Sequence, residues 1–233
     1  MAEMNGINDR TAHILEAAIQ SFIDTGEPVS SGWLFDHFDF GIRPAMIRLE
    51  LDALEDAGYL EQPHHSAGRV PTDAGYEFFV KRLMGSTPEL REPTLNELFE
   101  ERAWPDLLER LSAELGLLSV VADRTRDMVY KAGLEALVGR LDFENSEGLR
   151  SVIHDFEAMD ERAPRAAERM GIAGTGSGGD PRVFIGKKSP VTKSEDLSVI
   201  CGNYRTGNTT VSIFAIGPKR MDYKKVIRIF KGL

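Results

Sequence analysis

Five residues able to grip an anion, Arg43, Arg48, His64, His65 and Arg69, fall within the stretch 42–72, IRPAMIRLELDALEDAGYLEQPHHSAGRVPT. A guanidinium is always charged, and its planar fork of donors fits a phosphate or a guanine edge through two hydrogen bonds. The adjacent imidazoles can contact phosphate or a minor groove at the tip of a loop, or simply sit in solvent. A metal site is a poorer reading, because neighbours on a turn point apart and no cysteine or third histidine lies close in sequence. The arginines also have plainer uses. Arg48 can pair with Asp52 four residues on, and Arg69 can anchor its segment to Glu61 instead of reaching a minor groove.

These side chains must be positioned by the elements around them. Ile47, Leu51 and Leu54 recur at helical spacing and make one apolar stripe, with Arg48, Asp52 and Glu55 elsewhere on the surface. Pro44 suits the first turn of that helix, where its missing N–H costs nothing, and Gly58 suits the residue after its end. Pro63, Gly68 and Pro71 then punctuate the chain too densely for a helix, so residues 61–70 read as a two-stranded ribbon with its tip at 64–68. Tyr76, Phe79, Val80 and Leu83 resume a helical stripe. Upstream, residues 10–24 predict a helix burying Ile14, Leu15, Ala18, Ile19 and Phe22. A short helix capped by Ser30 or Ser31 comes next, with Trp33, Leu34 and Phe38 as its apolar residues. Helix, short helix, turn, helix, ribbon, helix is the order of a winged helix-turn-helix, whose second motif helix enters the major groove of B-DNA.

Composition frames this reading. With 42% hydrophobic and 28% charged residues in 233, the chain suits two modest soluble domains. No apolar run approaches bilayer length, and an N-terminus bearing Glu3 and Asp9 is unlike a secretory signal, so a cytoplasmic location without membrane contact is expected. The lone Cys201, inside the apolar run LSVICG, reads as a buried core thiol in a reducing compartment. Charge opposes a nucleic-acid partner, since residues 1–85 hold 6 Lys/Arg against 14 Asp/Glu, whereas residues 182–233 hold 11 against 3. Net charge is not the field at one face, however, and Arg43, Arg48 and Arg69 all belong to the expected DNA side.

Beyond the reader, GSTPELREP breaks the apolar rhythm and predicts a linker at 86–93, dividing a domain of residues 1–85 from one of 94–233. The second begins with a helical stretch carrying Leu95, Leu98, Phe99, Leu107, Leu108 and Leu111. A strand comes next over 117–122, then helices over 126–141 and 146–162, a strand over 182–185, a hairpin turning at Gly207-Asn208, and a closing helix over 221–230. The cluster AGTGSGG sits between a helix and a strand, the reverse of the dinucleotide fingerprint, so it reads as a connector. No Ser-His-Asp arrangement with a supporting motif is present. The expectation is a non-enzyme that needs no cofactor and no metal.

The segments TGEPVSS (25–31), PAMIRLEL (44–51), LEDAGYLEQPHHSAGRVPT (54–72), RVFIG (182–186), LSVICGNYRTG (197–207) and IGPKRMDYKKVI (216–227) together resemble the HrcA family of heat-inducible transcription repressors. The resemblance implies an N-terminal winged helix-turn-helix and a GAF-like α+β C-terminal domain. It also implies repression of chaperone genes by a homodimer on an inverted-repeat operator in double-stranded DNA, release on heat stress, and a GroEL-type chaperonin as partner. Two departures stand out. Residues 117–123 pass almost directly into 128–141, without the inserted dimerising segment usual in the family, which marks a shortened member. The family pattern Ser-Pro-Ala-Thr-Ile-Arg-Asn-Glu is here Arg43-Pro44-Ala45-Met46-Ile47-Arg48-Leu49-Glu50.

The expected DNA-facing set is Arg43, Pro44, Ala45, Met46, Arg48, Leu49, His64, His65, Ser66 and Arg69. Without the insert, pairing must use residues 95–111, the helices of 126–162 or the C-terminal sheet edge. Two other readings stay open: a regulator answering a small ligand through its GAF-like half, and a protein-interaction module that no longer reads DNA.

Overall fold

A computed structural model describes residues 7–65, 67–141, 146–170 and 180–233. The chain is α+β and divides into two compact units, Met1–Arg82 and Leu83–Leu233. Ser66 and the glycine-rich connector at 171–179 lie outside the described residues.

The first unit packs α1 (Asp9–Thr25), α2 (Ser31–His37), α3 (Pro44–Asp56) and α4 (Asp73–Ser86) around a two-stranded ribbon, β1 (Leu60–Glu61) and β2 (Val70–Pro71). Local chemistry sets each boundary. Asn8 caps α1 by accepting from the Thr11 amide, and Ser30 caps α2 through the Trp33 amide. Pro44 opens α3, and Gly58, at φ 78°, takes the left-handed conformation that ends it. Ile47, Leu51 and Leu54 turn inward as their spacing requires, joining Ile14, Leu15, Ile19 and Leu34 in the core. Gly75 lets α4 approach the ribbon, because a Cβ there would lie 2.3 Å from the Tyr59 carbonyl oxygen.

The second unit is a five-stranded antiparallel sheet with helices on both faces. Its strands are β3 (Leu118–Asp123), β4 (Met128–Ala132), β5 (Arg182–Ile185), β6 (Leu197–Thr206) and β7 (Thr209–Pro218), in the spatial order β4-β3-β7-β6-β5. On one face Leu118, Val120, Val199, Cys201 and Phe214 meet Leu137 of α7 (Leu134–Val138) and Val152, Met159 and Ala163 of α8 (Ser146–Met170). The other face receives α5 (Pro93–Glu100), α6 (Trp104–Leu115) and α9 (Tyr223–Gly232). There the Trp104 indole donates to Asp123 at 3.0 Å, and the Tyr204 hydroxyl donates to the Phe230 carbonyl at 2.7 Å. Burial pushes the Cys201 thiol above its ordinary range and keeps it protonated, against a smaller opposing pull from Arg182.

Two expected helices need correction. The helix predicted over 126–141 is a strand followed by a five-residue helix, because Met128-Val129-Tyr130-Lys131 pairs along β3 and Gly133, at φ 92°, breaks the run. The helix predicted over 146–162 continues to Met170, since Ala163, Ala166 and Ala167 extend its buried face past Arg162. Leu95, Phe99, Leu107, Leu108 and Leu111 are all buried within their own unit. The stretch predicted as a linker is also fastened: the Leu90 amide donates to the Arg228 carbonyl at 2.8 Å, and Thr87 is buried.

Candidate nucleic-acid interface

The outward face of α3 is what the inward stripe leaves over. At about 100° per residue, Leu49 lies nearly opposite Ile47, Leu51 and Leu54, with Ala45, Met46 and Arg48 around it. Ala45 and Arg48 are exposed, while Met46 is 45% and Leu49 60% exposed. Pro44 is half-buried at the first turn, and Arg43 projects from the N-cap position without a capping hydrogen bond from its side chain.

Ion pairing sorts the charges of this unit. Glu50 takes the Arg10 guanidinium at 2.7 Å and the Thr11 hydroxyl at 2.5 Å. Burial alone would raise the Glu50 carboxyl, but those two donors hold it below its usual range. Arg69, only 13% exposed, bridges Asp52 at 2.6 Å and Glu55 at 2.7 Å, and Arg82 pairs with Glu16. Asp52 is therefore taken, and the alternative Arg48–Asp52 pair is not formed. Among the described residues Arg43, Arg48 and Lys81 are the cations of this unit without an ion pair, and two of them lie at the start of α3. An acidic domain thus presents unspent positive charge on one helix face, where it acts at short range.

Arg69 also settles where the ribbon lies. Its partner is α3 and not Glu61, and its backbone forms a two-way bridge with Val29, at 2.9 and 2.8 Å. Gly68 allows that approach, since a Cβ would stand 2.5 Å from the Val29 carbonyl. Gln62, which the sequence did not flag, straps the ribbon tip by donating to the carbonyls of Ala67 and His65, at 2.8 and 3.2 Å. His64 and His65 are exposed at that tip. Arg48, Asp52, Arg69, Gln62, His65 and Ser31 line one cleft of about 230 Å³ between helix and ribbon. The structure thus brings Arg48, His65 and Arg69 together, while the ion pairs hold the Arg69 guanidinium against α3.

Replacing Arg69 with Met is expected to free the ribbon and leave the helices intact. With both carboxylates part-exposed, the pairs contribute about 1 kcal/mol. Amide exchange at Glu61 and Val70 should therefore quicken by about five- to tenfold relative to the α1 amides. Unchanged protection of those amides would remove Arg69 as the anchor.

Among the described residues no group of three or more His, Cys, Asp or Glu side chains is placed to hold a metal ion, and no helix is long and apolar enough to cross a membrane.

Residues 76–227 match the family described as HrcA protein C terminal domain. The heat-inducible transcription repressor HrcA of Chlorobium phaeobacteroides (strain BS1) is 23% identical over 339 aligned positions, covering 96% of this chain and 95% of that protein. Since 339 exceeds the 233 residues here, that relative carries additional sequence between the matched parts. The heat-inducible transcription repressor HrcA of Roseiflexus sp. (strain RS-1) is 51% identical over 82 residues, 35% of this chain and 23% of that protein. The protein of the same name from Carboxydothermus hydrogenoformans is 41% identical over 117 residues, 48% of this chain and 34% of that protein. The chain thus matches about a quarter to a third of the length of these last two relatives. A crystal structure of a hypothetical protein superimposes with a TM-score of 0.73 over 98% of this chain and 95% of that one, at 19% identity, which shows a shared fold.

Proposed function

The chain belongs to the HrcA family, and from that premise we propose that it is a sequence-specific transcriptional repressor acting in the cytoplasm on an inverted-repeat operator. The first unit serves as a winged helix-turn-helix, α3 entering the major groove and the ribbon acting as its wing. One observation carries this reading: Arg43 and Arg48 stand unpaired on the exposed face of α3 while the other arginines of the unit are spent on its carboxylates. Pro44, Ala45, Met46 and Leu49 complete the groove-facing surface, and His64 and His65 meet the backbone at the wing tip. Arg69 acts indirectly by fixing the wing. The relatives' names point to genes induced by heat; release on heat stress and upkeep by a GroEL-type chaperonin extend this reading, with the second unit as a reduced GAF-like regulatory domain.

A single reader touches few base pairs, so useful specificity needs two related by a twofold axis. We place the pairing at the free edge of β4. Met128 is 50% and Ile153 of α8 is 41% exposed, and the Lys131 ammonium, which would otherwise guard this edge, is drawn back to Asp160 at 2.8 Å. An edge strand is self-complementary about a twofold axis, and the charges agree: Arg124 and Arg126 precede β4, while Glu109 and Glu135 line the cleft beside its far end. Met128→Lys with Ile153→Lys is expected to shift the full chain from dimer to monomer in light scattering and weaken operator binding at least tenfold. A dimer that persists in the double variant would move the interface elsewhere.

Selection of genomic fragments by the full chain tests the function itself. Enrichment of an inverted repeat upstream of chaperone genes is expected. Absence of any sequence preference, even at low salt, would overturn the repressor reading in favour of a protein-interaction module, to which the exposed Met46 and Leu49 would then belong.

A further inference from the structure

We propose that Leu49 and Met46 are specificity residues that read thymine methyl groups in the major groove, beside the contact made by Arg48. This rests on the reading of α3 as the groove helix, and it names the chemistry of the target at positions where the family pattern carries polar residues.

Five large apolar side chains are prominently exposed among the described residues, and two of them, Met46 and Leu49, are neighbours on the outer face of α3. Three residues apart, they form with Ala45 one apolar strip, and Arg48 borders it. The strip has no route inward. Ile47, Leu51 and Leu54 fill the core beneath, and ion pairs at Glu50, Asp52 and Glu55 hold the helix to α1 and to the ribbon.

A DNA partner must therefore offer these side chains something apolar. The base edges of the major groove present donors, acceptors and a single apolar group, the C5 methyl of thymine. Polar groups facing Leu49 would instead lose water without gaining a partner, which penalises guanine and cytosine at that step. From Met46 to Leu49 the helix rises about 4.5 Å, a little over one base step of about 3.4 Å. A run of two thymines on one strand fits the strip, adjoining a base or phosphate held by Arg48. The flanking arginines without ion pairs favour a polyanion over an apolar protein surface as the occupant.

The test uses the duplex recovered by selection and alters only its methyl groups. Thymine is replaced by uracil one position at a time, which leaves every hydrogen bond in place. At two or more positions of each half-site, uracil should weaken binding by about fourfold, the equivalent of one buried methyl. Leu49→Ala and Met46→Ala should each bind thymine and uracil equally at one of those positions while keeping the wild-type melting temperature. Sequence-specific binding that is indifferent to uracil everywhere would overturn this inference and leave the repressor reading standing. Failure to select any duplex would overturn both.

Discussion

Arg48→Ala is expected to lower affinity for the selected operator by about 10- to 100-fold, within the range of one bidentate contact to a base, with no change in melting temperature. The side chain is exposed and makes no ion pair or hydrogen bond among the described residues, so its removal costs the fold nothing. The form of the loss identifies what it touches. A base contact removes preference at one position of each half-site. A phosphate contact weakens all sequences alike and lowers the dependence of log affinity on log salt by about one unit. Arg48→Lys keeps the charge but not the fork, so it should recover binding only in the phosphate case. Unchanged affinity in Arg48→Ala would take this residue, and with it the main support for α3 as a reader, off the DNA.

Asp155→Ala is expected to destabilise the second unit by about 3–5 kcal/mol, the cost of breaking a buried, hydrogen-bonded ion pair from one side. The Asp155 carboxylate is buried and takes four contacts at once. Arg162 donates at 2.5 Å, the Lys193 amide at 2.9 and 3.1 Å to the two oxygens, and the Ser194 amide at 3.0 Å. It thus fastens α8 to the loop before β6, and Arg162 adds a bond to the Val191 carbonyl at 3.2 Å. Removing it strands a guanidinium and two amides with little access to water. Urea denaturation followed by the fluorescence of Trp104, which lies in the same unit, reads the loss directly. A melting temperature lower by about 10 °C is the thermal equivalent. If α8 supports the β4 edge at which two copies pair, operator binding should fall in parallel, although no residue of the first unit has changed. A loss below 1 kcal/mol would show that the clamp is dispensable.

Much of the first unit is legible along the chain because its signals are local. The stripe of Ile47, Leu51 and Leu54, the opening Pro44 and the stops at Gly26 and Gly58 each act within a turn or two of backbone, and the observed helices obey them. The hairpin at Gly207 is equally local, as φ there is 56° and β6 pairs with β7 down to Thr206 and Thr209. The misreading of residues 126–141 has the opposite cause. Apolar residues spread along that stretch satisfy helical periodicity well enough, and only the neighbouring β3, offering five antiparallel partners, makes the extended form better.

The candidate site divides along the same line. That residues 44–56 would be helical, with Met46, Arg48 and Leu49 outside, was determined by the sequence alone, because burying the apolar stripe dictates which side remains. Which arginine is free to act was decided only by tertiary structure. Arg48 had a carboxylate four residues away at Asp52, yet Arg69, 17 residues further along the chain than Asp52, takes it. The fold brings the ribbon against α3 and gives Arg69 two carboxylates in a half-shielded place. An ion pair gains more there than at an open helix surface, where water and side-chain entropy oppose it.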